Sequence, residues 1–150
     1  MNDVSIPEGF EPLEHVGPFL ELYGPVYTKA EGRARVIGLR VAEKHLNTRG
    51  IVHGGMLVAL ADSALGINLS HAADPPRPMV TVNLSADFLE PGMPGDWLEA
   101  HVHVQRIGVH LAFASCDVRA GAKGVLRASG VFFILPDSGK PAPGKERFDG

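Results

Sequence analysis

A carboxylate interrupts an otherwise apolar segment near the middle of this 150-residue chain. Between Met56 and Leu69 the only strongly polar side chains are Asp62, Ser63 and Asn68. Leucine, alanine and methionine dominate the rest, which favours a helix that is apolar on nearly every side and must be enclosed by other elements. An ionised carboxylate is costly in such a place unless it is paired or used. Asp62 is therefore the first candidate for chemistry.

The tripeptide His53-Gly54-Gly55 precedes this helix directly. Backbone N–H groups at a helix N-terminus are free and, with the positive end of the helix dipole, face an incoming oxygen atom. Glycine also lets a ligand approach the backbone closely, although a tight helix-entry turn would use the same residues. His53 could act as a general base or hold the loop by a backbone hydrogen bond, and we favour orientation over proton transfer. Asn47 is equally a turn residue or a polar contact.

The flanking segments alternate with period two, which is typical of strands, and Pro-Gly and Gly-containing turns separate them. In segment 79–89 the alternation places Thr81 on the polar face, opposite Val80 and Val82. The pattern predicts an α+β fold in which a six-stranded antiparallel sheet curls around one long central helix. The predicted strands are 23–30, 33–41, 79–89, 96–107, 109–120 and 125–135, with the helix at 56–69.

Three regions are predicted along the chain. Residues 1–24 form an N-terminal lead-in with a short helical turn near 19–22, residues 25–135 form the domain, and the Pro-, Gly- and charge-rich residues 136–150 form a disordered tail.

Composition excludes several classes of protein. The net charge of −3 argues against a nucleic-acid binder. The N-terminus has neither the basic region nor the apolar core of a secretion signal, and the central helix is too short to cross a bilayer. Cys116 is the only cysteine, which rules out an internal disulfide and fits a reducing cytoplasm; it is expected to be a core residue. We expect a cytoplasmic protein without membrane partners.

Several linked motifs resemble one known family. The pattern Asn47-x-x-Gly50-x-x-His53-Gly54-Gly55, followed by Leu60-Ala61-Asp62-x-Ala64, resembles the hotdog-fold acyl-CoA thioesterases of the PaaI/THEM-like type. The later patterns Thr81-Val-Asn-Leu, Phe88-Leu-x-Pro91, Leu111-Ala-Phe-Ala and Ala128-Ser-Gly-Val-Phe are also similar, so the resemblance covers roughly residues 33 to 135. It implies a hotdog fold, hydrolysis of acyl-CoA thioesters without metal or cofactor, and active sites at a dimer interface.

The resemblance also implies roles for individual residues. Asp62 would be the general base or the nucleophile, and Thr81 would help to hold the attacking water. The backbone N–H of Gly55, beside Gly54, would polarise the thioester carbonyl, which Asn47 and His53 would help to orient.

Spacing adds an expectation about assembly. Asp62 follows Gly55 by seven residues, which is about 10 Å along a helix, whereas catalytic contacts need roughly 3 Å. One carbonyl is therefore expected to meet Gly55 of one subunit and Asp62 of another across a two-fold axis. Apolar residues on both faces of the later strands suggest that the outer sheet face is covered too, which predicts a tetramer.

The carrier portion of the substrate is less defined. Four basic residues on or between the last strands either contact CoA phosphates or belong to a solvated sheet edge: Arg106, Arg119, Lys123 and Arg127. Relatives often carry a basic residue and then Ser or Thr where this chain has Val109-His110, so an acyl-carrier-protein substrate stays open. His101-x-His103 lacks a third ligand at a convincing spacing, and no metal site is predicted.

Two other functions stay open beside hydrolysis. A hotdog dehydratase or hydratase would act on the same thioesters, but its usual motif has a different, proline-containing approach to the histidine. A non-catalytic hotdog protein that binds acyl-CoA would gain little from a carboxylate beside the thioester. The identity of the acyl chain does not follow from these residues.

Overall fold

A computed structural model describes residues 5–136 of the chain. The helices are α1 (Pro18–Tyr23) and α2 (Gly54–Ala72), and a 3-10 turn covers Glu43–His45. The strands are β1 (Glu11–Pro12), β2 (Tyr27–Glu31), β3 (Ala34–Arg40), β4 (Met79–Phe88), β5 (Trp97–Ile107), β6 (Leu111–Ala120) and β7 (Lys123–Ile134).

All seven strands join one antiparallel sheet in the order β1-β2-β3-β5-β6-β7-β4, and α2 packs on one face of it. The predicted α+β architecture, an antiparallel sheet around one long helix, is confirmed. The lead-in supplies α1 at the expected helical turn and also a two-residue strand, β1, that the sequence did not predict. Most of the tail, residues 137–150, lies outside the described residues, and the division into three regions stays a prediction.

The core forms between one side of α2 and the inner sheet face. Leu60, Leu65 and Leu69 are fully buried against residues such as Leu98 and Leu126. Each such side chain contributes about 1.5–3 kcal/mol relative to leaving it in water. The opposite side of α2, which includes Asp62, is only half-buried in the single chain. In a single chain the sheet therefore covers one side of this helix.

One buried polar residue ties α2 to the sheet. The Asn68 side-chain oxygen accepts from the backbone N–H of Arg35 at 2.8 Å, and its amide nitrogen donates to the carbonyl oxygens of Arg35 at 3.0 Å and Ala64 at 2.9 Å. Buried amides need such partners, so Asn68 is structural.

A β-bulge changes the face on which Thr81 lies. In the pairing of β4 with β7, Thr81 faces Phe132 and the next pair is Asn83 with Val131, so Val82 is an extra residue. Cross-strand partners share a face, and Phe132 is buried on the helix side. Thr81 therefore points toward α2. Strict alternation predicted Thr81 on the face opposite Leu84 and Phe88, whereas the extra residue places it on the same face as these two.

The outer sheet face is partly covered by the chain itself. Phe10 packs edge-on against Trp97 with ring centroids 5.0 Å apart, and the Arg40 guanidinium lies 5.1 Å from the Trp97 ring. Gly38 makes room for this cluster, since a Cβ there would lie 2.3 Å from Trp97 Cζ2. Farther along the same face Leu111 and Phe133 stay 38% and 37% exposed. Within residues 5–136 no helix combines the length and apolarity needed to span a membrane.

Candidate active site

Asp62 and Thr81 form the centre of the site. Thr81 Oγ1 donates to Asp62 Oδ1 at 2.6 Å, which joins α2 to β4 across 19 residues of sequence. A hydrogen bond to an ionised carboxylate is short and stronger than one between neutral groups. The bond from Thr81 fixes Asp62 Oδ1, and it leaves Asp62 Oδ2 able to accept a proton or to attack a carbonyl carbon.

His53 caps the N-terminus of α2. Its Nδ1 accepts from the backbone N–H of Gly55 at 2.8 Å, so the proton of the neutral ring lies on Nε2. The His53 side chain is exposed, which leaves this Nε2–H available to a ligand. Gly55, predicted to offer its N–H to a carbonyl, uses that N–H within the cap in the single chain. Gly54 lies beneath Phe88, since a Cβ on Gly54 would be 3.1 Å from Phe88 Cε1.

The loop before α2 positions His53. Asn47 Oδ1 accepts from the backbone N–H of Arg49 at 2.8 Å and more weakly from that of Ile51 at 3.4 Å, so its side chain builds the turn in the single chain. Val52 donates its N–H to the Gly92 carbonyl at 2.9 Å. Gly92 permits this close approach, because a Cβ there would lie 2.8 Å from Val52 Cγ2.

An apolar cavity of about 410 Å³ opens beside Asp62. Its size falls within the usual range for small-molecule sites. Leu20 of α1 contributes to it, which sequence reasoning missed. Besides Asp62 and Thr81, its walls are Leu20, Ser63, Gly66, Ile67, Met79, Val80 and Phe132.

A buried His–Tyr pair ties α1 to the 3-10 turn. His45 Nδ1 accepts from the backbone N–H of Ala42 at 2.9 Å, so its Nε2–H donates to the Tyr23 carbonyl oxygen at 2.5 Å. Burial lowers the pKa of His45 below its usual value of 6.5, although the bond to Tyr23 opposes this. The His45 carbonyl oxygen also accepts from the backbone N–H of His53 at 2.8 Å. His45 therefore connects α1 with the cap of α2.

The four predicted phosphate contacts do not line this cavity. Arg106, Arg119 and Arg127 lie on the outer sheet face, and Arg127 Nε pairs with Asp87 Oδ2 at 3.0 Å. Lys123 Nζ donates to the Pro91 carbonyl oxygen at 2.9 Å and to Asp96 Oδ2 at 3.2 Å. Their contact with a substrate stays a prediction.

The two neighbouring histidines of β5 have acidic neighbours on the outer face. His101 Nε2 lies 2.9 Å from Glu99 Oε1, and His103 Nε2 lies 3.8 Å from Asp117 Oδ2. Within the part of the chain that the structure describes, no group of three or more His, Cys, Asp or Glu side chains is arranged to hold a metal ion.

The antiparallel sheet around α2, with a carboxylate beside an apolar cavity, defines a hotdog thioesterase. Residues 49–126 match the family model of the thioesterase superfamily, which is about half of the chain. The chain therefore belongs to the thioesterase superfamily, and the predicted resemblance to PaaI/THEM-like members is confirmed.

Two relatives align with most of the chain. A Pseudomonas aeruginosa protein whose name calls it a candidate esterase is 44% identical over 132 residues, which cover 87% of this chain and 98% of that protein. Human acyl-coenzyme A thioesterase 13 is 28% identical over 127 residues, which cover 84% of this chain and 90% of the human protein.

Solved structures share the fold. A mutant of the phenylacetic acid degradation protein PaaI from Thermus thermophilus superposes with a TM-score of 0.70 at 28% identity, covering 79% of this chain and 99% of that one. A Bacillus halodurans protein crystallised with CoA superposes with a TM-score of 0.62 at 26% identity, covering 67% of this chain and 66% of that one.

Proposed function

We propose that this protein hydrolyses acyl-CoA thioesters to a free acid and CoA, with Asp62 performing the chemistry. The observation that carries the proposal is the hydrogen bond from Thr81 to Asp62 beside the apolar cavity. It holds a carboxylate at the wall of a cavity that could receive an acyl chain. The name of the human relative and the CoA in the Bacillus halodurans structure support CoA as the carrier. An acyl-carrier protein would present the same thioester.

Asp62 can act in two ways. Its free Oδ2 can take a proton from water as the water oxygen attacks the thioester carbon, after which the tetrahedral intermediate expels the thiolate and the thiol regains a proton. Alternatively, Oδ2 attacks the carbon directly and the C–S bond breaks, so that the thiolate leaves and takes up a proton. Water then hydrolyses the resulting mixed anhydride, which releases the free acid and restores the Asp62 carboxylate. Both routes give the same acid and thiol.

The carbonyl oxygen would be polarised at the N-terminus of α2. His53 Nε2–H is exposed there, and rotation of the His53 side chain would free the Gly55 N–H for an incoming oxyanion. Asn47 would support this loop, since its side chain builds the turn. A carbonyl at this helix end is about 10 Å from Asp62 of the same helix, so we assign the two halves of each site to different subunits.

The edge of the sheet offers the surface for such a dimer. β4 is the last strand in the order, so one side of its backbone is unpaired. Val82 and Phe88 on this strand are 58% and 57% exposed. Exposed apolar edge strands pair readily with another chain, and Phe88 lies over the N-terminus of α2. We propose a dimer through β4, located in the cytoplasm, with a tetramer as its further assembly through the outer sheet face.

Thiol release from a panel of acyl-CoAs tests the proposal. We expect turnover by the parent protein and its near-complete loss in Asp62→Asn. Asp117→Asn, which changes an exposed carboxylate on the outer sheet face, is the matched control and should stay active. Full activity of Asp62→Asn would contradict the assignment. An enoyl thioester as product would indicate a dehydratase, and binding without turnover would indicate a non-catalytic protein.

A further inference from the structure

Helix α1 supplies one wall of the cavity beside Asp62. Leu20 of α1 lines this cavity, whereas the other walls come from α2 and from strands β4 and β7. Leu20 also lies outside residues 49–126, so the segment that matches the family model does not include this wall. The cavity therefore has a boundary that the N-terminal part of this chain provides.

The cavity extends from Asp62 toward the C-terminal end of α2. Along the helix its lining runs from Asp62 to Ile67, which is about 7.5 Å. Along β4 its lining runs from Thr81 back to Met79, which is about 7 Å. Both runs point the same way, because the short segment 73–78 connects the end of α2 to the start of β4. If its carbonyl meets Asp62, as proposed above, an acyl chain has this space open to it.

Away from Asp62, Ser63 and Thr81 the lining is apolar. The remaining lining residues are Leu20, Gly66, Ile67, Met79, Val80 and Phe132. Gly66 opens the cavity down to Phe132, since a Cβ on Gly66 would lie 3.4 Å from Phe132 Cε2. These walls offer no polar side chain to a ligand, so they fit a hydrocarbon.

Helix α1 is fixed with Leu20 facing the cavity. Tyr23 follows Leu20 by three residues, so both side chains lie on one side of α1, and Tyr23 packs against the core. His45 Nε2–H donates to the Tyr23 carbonyl oxygen, and Lys44 Nζ donates to the Leu22 carbonyl oxygen at 3.2 Å. The Leu22 side chain is 76% exposed, whereas Leu20 is half-buried. Leu20 is therefore a fixed wall of the cavity, and Leu22 faces solvent.

We infer that Leu20 is a specificity residue that limits the length of the acyl chain that this site accepts. The inference rests on the proposed function and deepens it, since it narrows the substrates to thioesters of apolar acyl chains. Each methylene that enters the cavity is removed from water, and this gain ends where the chain meets Leu20. A change in the volume of this one side chain should therefore move the chain length at which the gain ends.

The test measures kcat/KM for straight-chain acyl-CoAs from butanoyl-CoA to tetradecanoyl-CoA. In the parent kcat/KM should rise by up to about fourfold per methylene and then stop rising at one chain length. Leu20→Ala shortens the side chain to a methyl group, so the rise should continue for about two more carbons. At that length kcat/KM relative to butanoyl-CoA should exceed the parental ratio by up to about 15-fold. Leu20→Phe should end the rise at a shorter chain. Leu22→Ala, on the same helix but facing solvent, is the matched control and should keep the parental profile.

Opposite shifts in the two Leu20 variants are a result that a general loss of stability does not give. The inference is overturned if parental kcat/KM does not depend on chain length, if folded Leu20 variants keep the parental profile, or if Leu22→Ala shifts it equally. All three results leave hydrolysis itself intact. Absence of turnover on the whole series would count against the proposed function and remove the inference with it. Melting temperatures identify a variant that fails to fold, and in that case the other Leu20 variant still reports the profile.

Discussion

A site shared between two subunits can be tested by combining two inactive variants. Gly55 and Asp62 lie seven residues apart on α2, about 10 Å along its axis, so we propose that one thioester carbonyl meets Gly55 and Asp62 of different chains. We take Asp62→Asn in one chain and His53→Ala in the other. The first removes the base, and the second removes the Nε2–H donor and the cap that orients Gly55.

The two-fold arrangement of the sites predicts how much activity the mixed dimer regains. In a mixed two-fold dimer one site receives both substitutions and the other receives neither. The mixed dimer should therefore regain about half of the parental turnover per dimer, although each variant alone is nearly inactive. Two different affinity tags isolate the mixed dimers, and thiol release measures their activity.

The alternative arrangement gives a different result. If each site used Asp62 and His53 of one chain, both sites of the mixed dimer would carry a substitution and turnover would stay at the level of the single variants. That result, with mixed dimers shown to be intact by sedimentation, would refute the shared site. A doubly tagged dimer with Asp62→Asn in both chains is the control and should stay inactive.

Three further predictions concern single residues. Thr81→Val removes the 2.6 Å bond to Asp62 and should lower kcat/KM about tenfold or more, whereas Thr81→Ser should keep most of the rate; an unchanged rate in Thr81→Val would mean that Thr81 does not hold the carboxylate. Gly66→Ala places a Cβ 3.4 Å from Phe132 Cε2, which is an ordinary contact distance. It should raise the free energy of unfolding by about 0.5–1 kcal/mol and lower kcat/KM for longer acyl chains more than for short ones. A lower melting temperature would contradict this. Burial lowers the pKa of His45 below 6.5. As the pH falls below about 6.5, His45 therefore binds a proton in the unfolded chain but not yet in the native chain. The free energy of unfolding should decrease there by up to about 1.4 kcal/mol per pH unit. Urea titrations between about pH 5 and 7.5 should show that the free energy of unfolding depends less on pH in His45→Gln than in the parent. Equal pH dependence in the two proteins would assign the effect to other groups.

Local patterns were enough to predict most of the fold. Apolar composition located α2, which begins at Gly54 directly after the His53 cap, and alternation with turn residues located five strands close to their observed bounds. The first strand was predicted from Tyr23 but begins at Tyr27, because Tyr23 ends helix α1. These signals are local because side chains repeat along a helix or strand at a fixed spacing. β1 was missed, since a two-residue strand has too few side chains to show a period.

The site was predicted in its residues but not in its contacts. Asp62 and Thr81 were both named, yet strict alternation placed Thr81 on the face opposite Leu84 and Phe88. The bulge at Val82 reverses that face and brings Thr81 to Asp62. A bulge depends on the pairing of β4 with β7, whose sequence lies some fifty residues away, so the alternation within β4 could not indicate it.

By itself the sequence determined an α+β architecture with an antiparallel sheet and one apolar helix, a carboxylate in that helix and a glycine-rich entry to it, because each follows from residue type and short-range spacing. The tertiary structure decided which side of α2 stays open and which hydroxyl holds Asp62. It also placed Arg106, Arg119 and Arg127 on the face away from the cavity. Such contacts join segments far apart in sequence, and their geometry depends on how the whole sheet curves around the helix.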